Sequence, residues 1–398
     1  MLLAAVLADA LRVPGSGQIG VERHVPTRLG LGASAVVTLR VRNDAAYPVQ
    51  LQLTDDLPPE LVRKGADTLQ ARVPAHRSVD LSYAVCAERR GDWTVGDLHL
   101  RRLGPLGLLW HQRRIALSNP VRVQPGLLDV RRYRLLGLRD RHSLGARSAR
   151  QRGEGLSFES LREYVPGDDP RRIDWKATAR RGAATVRQFE AERSQNVLLM
   201  IDAGRLMSER IGGRERLDHA LAAALLLADV AGKHGDRVGA FVFADRVQRF
   251  LPPARTPLAR LADALGGTEA RPVEPDYPGA FTFLAGQLRK RSLLVLFTDV
   301  IDPDASAALV GHLAAAARRH LPLVVALRNP ELESAAVAPV QGEADVFTRA
   351  AAEELLGARA IALAAMQRAG VLVADTRPSD AVPLVVNRYL EVKQRGLL

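Results

Sequence analysis

The chain has 398 residues, of which 47% are hydrophobic and 25% are charged, and its formal net charge is +12 at pH 7. These values are typical of a soluble globular protein with two or more domains, and they exclude collagen-like, low-complexity and intrinsically disordered classes. The only cysteine, Cys86, excludes an internal disulfide, and its alternating neighbourhood predicts a buried thiol that acts as a small hydrophobic side chain.

The chain opens with an apolar run, MLLAAVLADALR, that reaches its first charge at Asp9. The run has no basic start and no small-residue cleavage site, so it does not fit a signal peptide. It is also shorter than the ~20 apolar residues of a transmembrane helix. We expect residues 1–19 to be the remnant of such a helix followed by a linker.

Residues 20–125 predict a β-sandwich-like domain. In VVTLRVRN, Val37, Leu39 and Val41 alternate with polar residues, and YPVQLQL repeats this period of two. Such alternation is typical of a strand with one buried face. Short strands separated by turn-forming segments such as NDAAYP favour a sandwich.

Residues 126–195 predict a basic connecting region. Residues 131–193 contain 16 Lys and Arg against 9 Asp and Glu, and they include the motif LREYVPGDDPRRIDWKATARR at 161–181. The prolines and glycines predict an extended path, a tight turn and one short helix around Ile173–Arg180. Because acids are interspersed among the arginines, we expect no nucleic-acid partner. A solvated linker and a protein-binding surface both remain open.

Residues 196–398 predict an α/β domain. The short apolar runs VLLMIDAG, RVGAFVFAD, SLLVLFTDV, LPLVVALRN and GVLVADT alternate with helical segments. This order favours a doubly wound parallel sheet, in which the site lies at the carboxyl ends of the strands. Those ends carry Asp202, Asp245, Asp299, Arg328, Asn329 and Asp375.

Asp202 and Asp299 are weak candidates for a Mg²⁺ site. An adhesion-type metal site reads Asp-x-Ser-x-Ser after the first strand, whereas Gly204 and Leu206 stand here in place of the two hydroxyls. Because Mg²⁺ requires nearly octahedral oxygen ligation, the missing hydroxyls argue against the metal. The alternative is that Asp202 caps a helix or pairs with Arg205.

The acids of the central motif also permit a hydrolase hypothesis based on Asp168, Asp169 and Asp174. The surrounding arginines favour paired carboxylates, which are poor general bases. The sequence contains no Walker loop, no Gly-x-Ser-x-Gly elbow and no zinc-type His spacing. We therefore expect no catalytic residue and no enzymatic activity.

The segments LREYVPGDDPRRIDWKATARRG, VRQFEAERSQNVLLMIDAGRLM and RSLLVLFTDVID resemble the bacterial domain-of-unknown-function 58 family. That resemblance implies an N-terminal β domain joined to a von Willebrand factor A-like domain with an incomplete metal site. It implies upstream transmembrane helices, which would place the protein at the cytoplasmic side of the inner membrane, or in the cytoplasm if the chain starts at Met1. It also implies a MoxR-type AAA+ ATPase as partner, together with a client protein.

The resulting hypothesis is a non-enzymatic adaptor that acts with such an ATPase and needs no cofactor. The alternative is a divalent-metal-dependent ligand-binding module that uses Asp202 and Asp299. We interpret the central motif as a strap between domains in preference to a docking surface. Its candidate residues are Arg162, Glu163, Tyr164, Pro166, Gly167, Asp168, Asp169, Arg171, Arg172, Asp174, Trp175, Lys176 and Arg180.

Overall fold

The computed structural model describes residues 7, 9, 18–125, 152–165, 173–190, 194–300 and 303–398. The chain forms two compact units. The first is Met1–Arg131 with Leu265–Gly267, and the second is Arg132–Ala264 with Thr268–Leu398.

Between residues 18 and 125, the regular structure of the first unit consists of strands. They are β1 (Ile19–His24), β2 (Arg28–Gly30), β3 (Ser34–Asn43), β4 (Val49–Asp55), β5 (Leu61–Lys64), β6 (Leu69–Val73), β7 (Arg77–Ala87), β8 (Gly91–Val95), β9 (Leu98–Leu103), β10 (Trp110–Ile115) and β11 (Asn119–Gln124). Three sheets have the orders β1-β3-β7-β5, β10-β9-β4-β6 and β2-β11-β8. Their inward side chains share one core. The alternating apolar residues of β3 and β4 are buried in it, as predicted.

The prediction for Cys86 is wrong in its burial. On β7, Tyr83, Val85 and Ala87 face the core, and alternation turns Cys86 to the opposite face, where it is half-buried and free. Successive side chains of a strand point to opposite faces, so an apolar neighbourhood in the sequence does not by itself bury a residue.

Asp9 is a buried acid at the start of the first unit. Its carboxylate accepts hydrogen bonds from the backbone N–H groups of Leu106, Leu108 and Leu109 at 2.7, 3.0 and 2.9 Å. Burial raises the pKa of Asp9, but these three donors outweigh it and leave the pKa below its ordinary value. Most of the expected helix remnant at residues 1–19 lies outside the described residues. In the described part of the chain, no helix is both long and apolar enough to span a membrane.

The central segment contains more regular structure than its sequence predicts. It comprises β12 (Arg152–Glu163), α1 (Trp175–Arg181) and β13 (Thr185–Glu190). The predicted short helix is confirmed as α1. The expected extended path takes the form of an antiparallel strand pair, since β12 aligns with β13 from Phe158 opposite Phe189 to Glu163 opposite Thr185.

A six-stranded sheet organises the second unit. Its strands are β14 (Asn196–Asp202), β17 (Arg237–Phe243), β18 (Val247–Ala254), β19 (Ser292–Thr298), β20 (Leu321–Leu327) and β21 (Leu372–Thr376), and a short ribbon joins β15 (Arg210–Ile211) to β16 (Arg214–Glu215). The order is β18-β17-β14-β19-β20-β21. Five strands run parallel, and β18 pairs antiparallel at one edge. Two prolines in β18 suit an edge position.

Helices follow most of these strands in the chain. They are α2 (Arg216–Lys233), α3 (Leu258–Gly266), α4 (Tyr277–Gln287), α5 (Pro303–Ala317), α6 (Pro330–Val337), α7 (Glu343–Arg368) and α8 (Ala381–Gln394). The sequence predicts helices in RERLDHALAAALLLADVAGKHG, at 305–319, in AAEELLGARAIALAAMQRAG and in DAVPLVVNRYLEVKQRG, which correspond to α2, α5, most of α7 and α8; it does not predict α3, α4 or α6. The von Willebrand factor A-like assignment of this unit stays a prediction.

Candidate functional site

Asp202 ends β14 and is held by three donors. Its Oδ1 accepts from the backbone N–H of Gly204 at 2.8 Å. Its Oδ2 accepts from the hydroxyls of Tyr277 at 2.9 Å and Thr298 at 2.7 Å. Burial raises the pKa of Asp202 even though all three hydrogen bonds favour the ionised form. Burial beside this carboxyl group also raises the pKa of Tyr277 well above its ordinary value.

Asp299 follows β19 and is neutralised by two arginines of the same chain. Its Oδ2 pairs with Arg216 Nη1. Its Oδ1 accepts from Arg359 Nη1 at 2.7 Å and from the N–H of Val300 at 2.7 Å. The side chains of Arg216 and Asp299 are 0% and 1% exposed. A fully buried guanidinium therefore lies against the carboxylate that the sequence proposed as a metal ligand.

These pairs belong to a longer run of alternating charges, which we name the edge chain. Its order is Arg377, Glu333, Arg328, Asp375, Arg359, Asp299, Arg216 and Glu209, with each residue paired to the next. Four arginines and four acids balance one another. The middle of the edge chain is buried and its Arg377 end is exposed.

The edge chain joins elements at the carboxyl end of the sheet. Arg216 starts α2, Arg359 lies in α7, and Asp375 lies in β21. Glu209 also accepts from the side-chain amide of Asn329, whose Oδ1 caps α6 by accepting from the N–H of Glu331. Loops that follow different strands are thus held together by ionic hydrogen bonds, which are stronger than neutral ones.

The oxygen atoms at this edge do not provide the octahedral ligands that Mg²⁺ requires. Both carboxylates already accept hydrogen bonds on each oxygen, and Gly204 and Leu206 supply no side-chain oxygen. A Cβ atom at Gly204 would lie 3.0 Å from Pro275 Cδ and 3.1 Å from Asp202 Oδ1, so a serine there would be crowded. An adjacent cavity of about 20 Å³, lined in part by Ser306, has room for one water molecule. Among the described residues, no group of three or more His, Cys, Asp or Glu is arranged to hold a metal.

Arg205 and Asp245 each pair with a residue other than Asp202 or Asp299. Arg205 pairs with Glu274, while Asp202 accepts from the groups named above, so the expected pairing of Asp202 with Arg205 is replaced by a different set of partners. Asp245 lies beyond the end of β17 and pairs with Arg271 at 2.5 Å near the surface. Neither residue takes part in the edge chain.

Sequence reasoning missed Arg216 and Arg359, which neutralise Asp299. Arg216 is the first residue of α2 and Arg359 lies between two alanines of α7, and nothing in these neighbourhoods marks either arginine as buried, since arginines are rarely fully buried. The available signal was an unpaired carboxylate at the end of a buried strand, because such a charge needs an internal partner. That signal predicts a partner but does not identify it, since the chain is rich in arginine.

The central motif is only partly described. Pro166, Gly167, Asp168, Asp169, Arg171 and Arg172 lie outside the described residues, as does the side chain of Arg162. Glu163 ends β12 and is exposed. The backbone N–H of Tyr164 donates to Ala184 O at 2.7 Å. These observations place the start of the motif on the β12–β13 pair.

Asp174 and Trp175 set the start of α1. Asp174 caps the helix, since its Oδ1 accepts from the N–H groups of Lys176 and Ala177 at 3.0 Å each. Trp175 is 71% exposed, and Lys176 and Arg180 are exposed as well. The strap interpretation stays a prediction.

Comparison with known proteins confirms the family that the motifs indicated. Residues 160–355 match the family described as "Protein of unknown function DUF58". The "Uncharacterized protein YeaD" of Bacillus subtilis (strain 168) is 27% identical over 181 residues, 44% of this chain and 45% of that protein. The "Uncharacterized protein Rv1480" of Mycobacterium tuberculosis is 30% identical over 183 residues, 45% of this chain and 56% of that protein. The chain therefore spans about half the length of the curated relatives it matches.

Solved structures add little to this picture. The ASH/PapD-like domain of human CEP192 has a TM-score of 0.20 and 16% identity, and the match covers 27% of this chain and 87% of that domain. A score this low carries no argument about fold or function.

Proposed function

We propose that the protein is a non-enzymatic adaptor that binds a MoxR-type AAA+ ATPase and presents a client protein to it. The observation that carries the proposal is the buried pairing of Arg216 with Asp299. At the edge of the sheet where an α/β protein places its site, the chain supplies its own cation. The loops at this edge are therefore held in one arrangement by internal ion pairs, and a scaffold that binds another protein benefits from such a rigid surface.

The burial of the two carboxylates supports a binding role over a catalytic one. A general acid or base must reach the proton that it transfers, but Asp202 and Asp299 are 4% and 6% exposed. Both are committed to internal donors. In the central motif, Asp174 is committed to helix capping, which removes one of the three acids from the hydrolase hypothesis.

The competing hypothesis is a divalent-metal module that uses Asp202 and Asp299. A cation there would have to displace the Arg216 guanidinium or lie beside it, and two positive groups near one carboxylate repel each other. The loss of both hydroxyl positions weakens that hypothesis further. The identity of the ATPase partner rests on the family resemblance.

The test uses the full chain and a purified MoxR-type ATPase from the same organism. We expect the two proteins to form a complex that sediments faster than either alone in the presence of a non-hydrolysable ATP analogue. An unrelated AAA+ ATPase is the control for nonspecific attraction to a protein of net charge +12. If the two proteins sediment independently when both are mixed at micromolar concentrations, the proposed function is refuted.

A further inference from the structure

Helix α7 has two faces that differ in what they contact. Ala352, Arg359, Leu363 and Met366 are buried, and their spacing of seven, four and three residues places them on one side of the helix. The residues Phe347, Ala350, Glu354, Gly357, Ile361 and Ala364 are spaced alternately by three and four residues along the other side. All six are exposed, and we name this line the outer seam.

The outer seam has the pattern of a helix that packs on another helix. Apolar residues at alternating spacings of three and four form the seam of a coiled coil. Here the two large residues, Phe347 and Ile361, are 68% and 69% exposed. Small residues between them would let a second helix approach closely. Phe347 and Ile361 lie on the same exposed face, where a second helix that follows the seam would cover both side chains.

The start of α7 is exposed on all sides. Every residue from 338 to 351 is exposed, and Val346 and Val340 are 50% and 47% exposed. With 1.5 Å of rise per residue, Glu343–Ala351 adds about 13 Å of helix with no buried side. The outer seam therefore begins on a projecting helix end that a partner can reach without rearrangement of the sheet.

The charges on the outer seam define the partner. Glu343 continues the line at its start and Glu354 interrupts it at its middle, and neither has an ion-pair partner within the described ranges. A charged residue in such a seam favours the register in which an opposite charge meets it. The seam contains no Lys or Arg, so two copies of α7 paired through it would bring their glutamates together. An anionic membrane surface would likewise find no basic residue on the outer seam itself.

We propose that the outer seam of α7 is the surface on which the ATPase docks, through a helix or groove with apolar residues and a Lys or Arg that meets Glu354. This inference rests on the proposed function and specifies its contact surface. Phe347 and Ile361 act as the apolar anchors, and Glu354 sets the register.

The experiment compares the affinity of purified ATPase for three forms of the full chain. One is the wild type, one is Phe347→Glu with Ile361→Glu, and the control is Thr348→Glu with Gln367→Glu. The control adds the same two negative charges to the same helix at exposed positions off the outer seam. All substituted positions are exposed, so we expect unchanged melting temperatures.

We expect the seam variant to bind at least roughly tenfold more weakly than wild type, the loss typical of removed interface anchors, while the control stays within about twofold. A charge reversal, Glu354→Lys, weakens binding to a similar degree. Equal affinity of all forms would overturn the docking surface and leave the adaptor function intact. Failure of the wild type to bind would overturn both. A seam-dependent dimer of the chain alone would identify a second copy as the occupant and also overturn the inference.

Discussion

Replacement of Arg216 by methionine tests how much the buried part of the edge chain contributes to the free energy of unfolding. Methionine fills the space of the aliphatic stem but leaves the buried Asp299 without one of its two cations. Removal of one partner from a buried ion pair costs about 3–5 kcal/mol. We expect the lower end of this range, because Arg359 remains paired at 2.7 Å and Glu209 is 37% exposed and can be hydrated.

A loss of about 3 kcal/mol lowers the melting temperature by roughly 6–12 °C for a unit of this size. Differential scanning calorimetry of Arg216→Met measures the shift. Arg205→Met is the matched control, because the Arg205–Glu274 pair is exposed and such pairs contribute about 0–1 kcal/mol.

A double-mutant cycle isolates the charge pairing. Asp299→Asn keeps an acceptor for Val300 N–H and Arg359 but removes the charge that Arg216 neutralises. We expect the double variant with Arg216→Met to be at least about 1 kcal/mol more stable than the sum of the two single losses implies. The argument that the Arg216–Asp299 pair stabilises the sheet edge would be refuted by either of two results. One is that the losses of stability in the two single variants are additive, and the other is that Arg216→Met lowers the melting temperature no more than the Arg205→Met control does.

Three further predictions concern other described groups. Asp202→Ala removes the acceptor that the Gly204 N–H and the hydroxyls of Tyr277 and Thr298 share and should cost about 3 kcal/mol, whereas Asp202→Asn keeps an acceptor and should cost less than about 1 kcal/mol; urea titration of both variants checks the difference. Burial, reinforced by nearby positive charge, lowers the pKa values of His234 and His320 below 6.5. The unfolded chain therefore binds these protons more readily, and stability should fall as the pH drops through 6.5. The double variant His234→Gln with His320→Gln should show a shallower loss between pH 7 and 5, and an unchanged slope would contradict this. Asp174→Ala removes the cap of α1 and should cost about 1 kcal/mol, seen as faster amide exchange in Trp175–Arg181; unchanged exchange would show that other contacts hold the helix.

Hydrophobic patterning in the sequence identified the elements whose residues are either buried throughout or buried on one regular face. The strands β14, β19 and β20 are buried along nearly their whole length, so they appear in the sequence as unbroken apolar runs. β18 is an exposed edge strand with a weak pattern, of which the sequence predicts only the segment VQRFL as a short edge strand.

The elements that were missed have physical reasons. In α4, Pro278 and Gly279 resemble a turn, but Asp276 caps the helix by accepting from the N–H of Gly279 at 2.9 Å and the proline occupies the first turn. Such a proline is compatible with a helix start. The first turns of α7 have no buried side, so they lack the apolar periodicity that marks a helix.

The sequence predicted where the candidate site lies, but it did not predict which residues pair with its carboxylates. Strand ends located Asp202 and Asp299, and the sequence lacks the two hydroxyls that an adhesion-type metal site would need at Gly204 and Leu206. The replacement cation is an arginine from α2, 83 residues before Asp299 in sequence. Only the packing of α2 and α7 on the sheet brings Arg216 and Arg359 to this carboxylate, and local sequence does not encode that contact.

The central claim is that Arg216 and Arg359 neutralise Asp299 and that internal donors occupy Asp202, so this edge of the sheet holds no divalent cation. Calorimetric titration of Mg²⁺ into the purified chain, with Asp202→Asn as the comparison, tests it most directly. We predict no saturable heat up to millimolar Mg²⁺ and no change in melting temperature for either protein. A saturable one-to-one binding isotherm that is lost in Asp202→Asn would contradict the claim and favour the metal-dependent module.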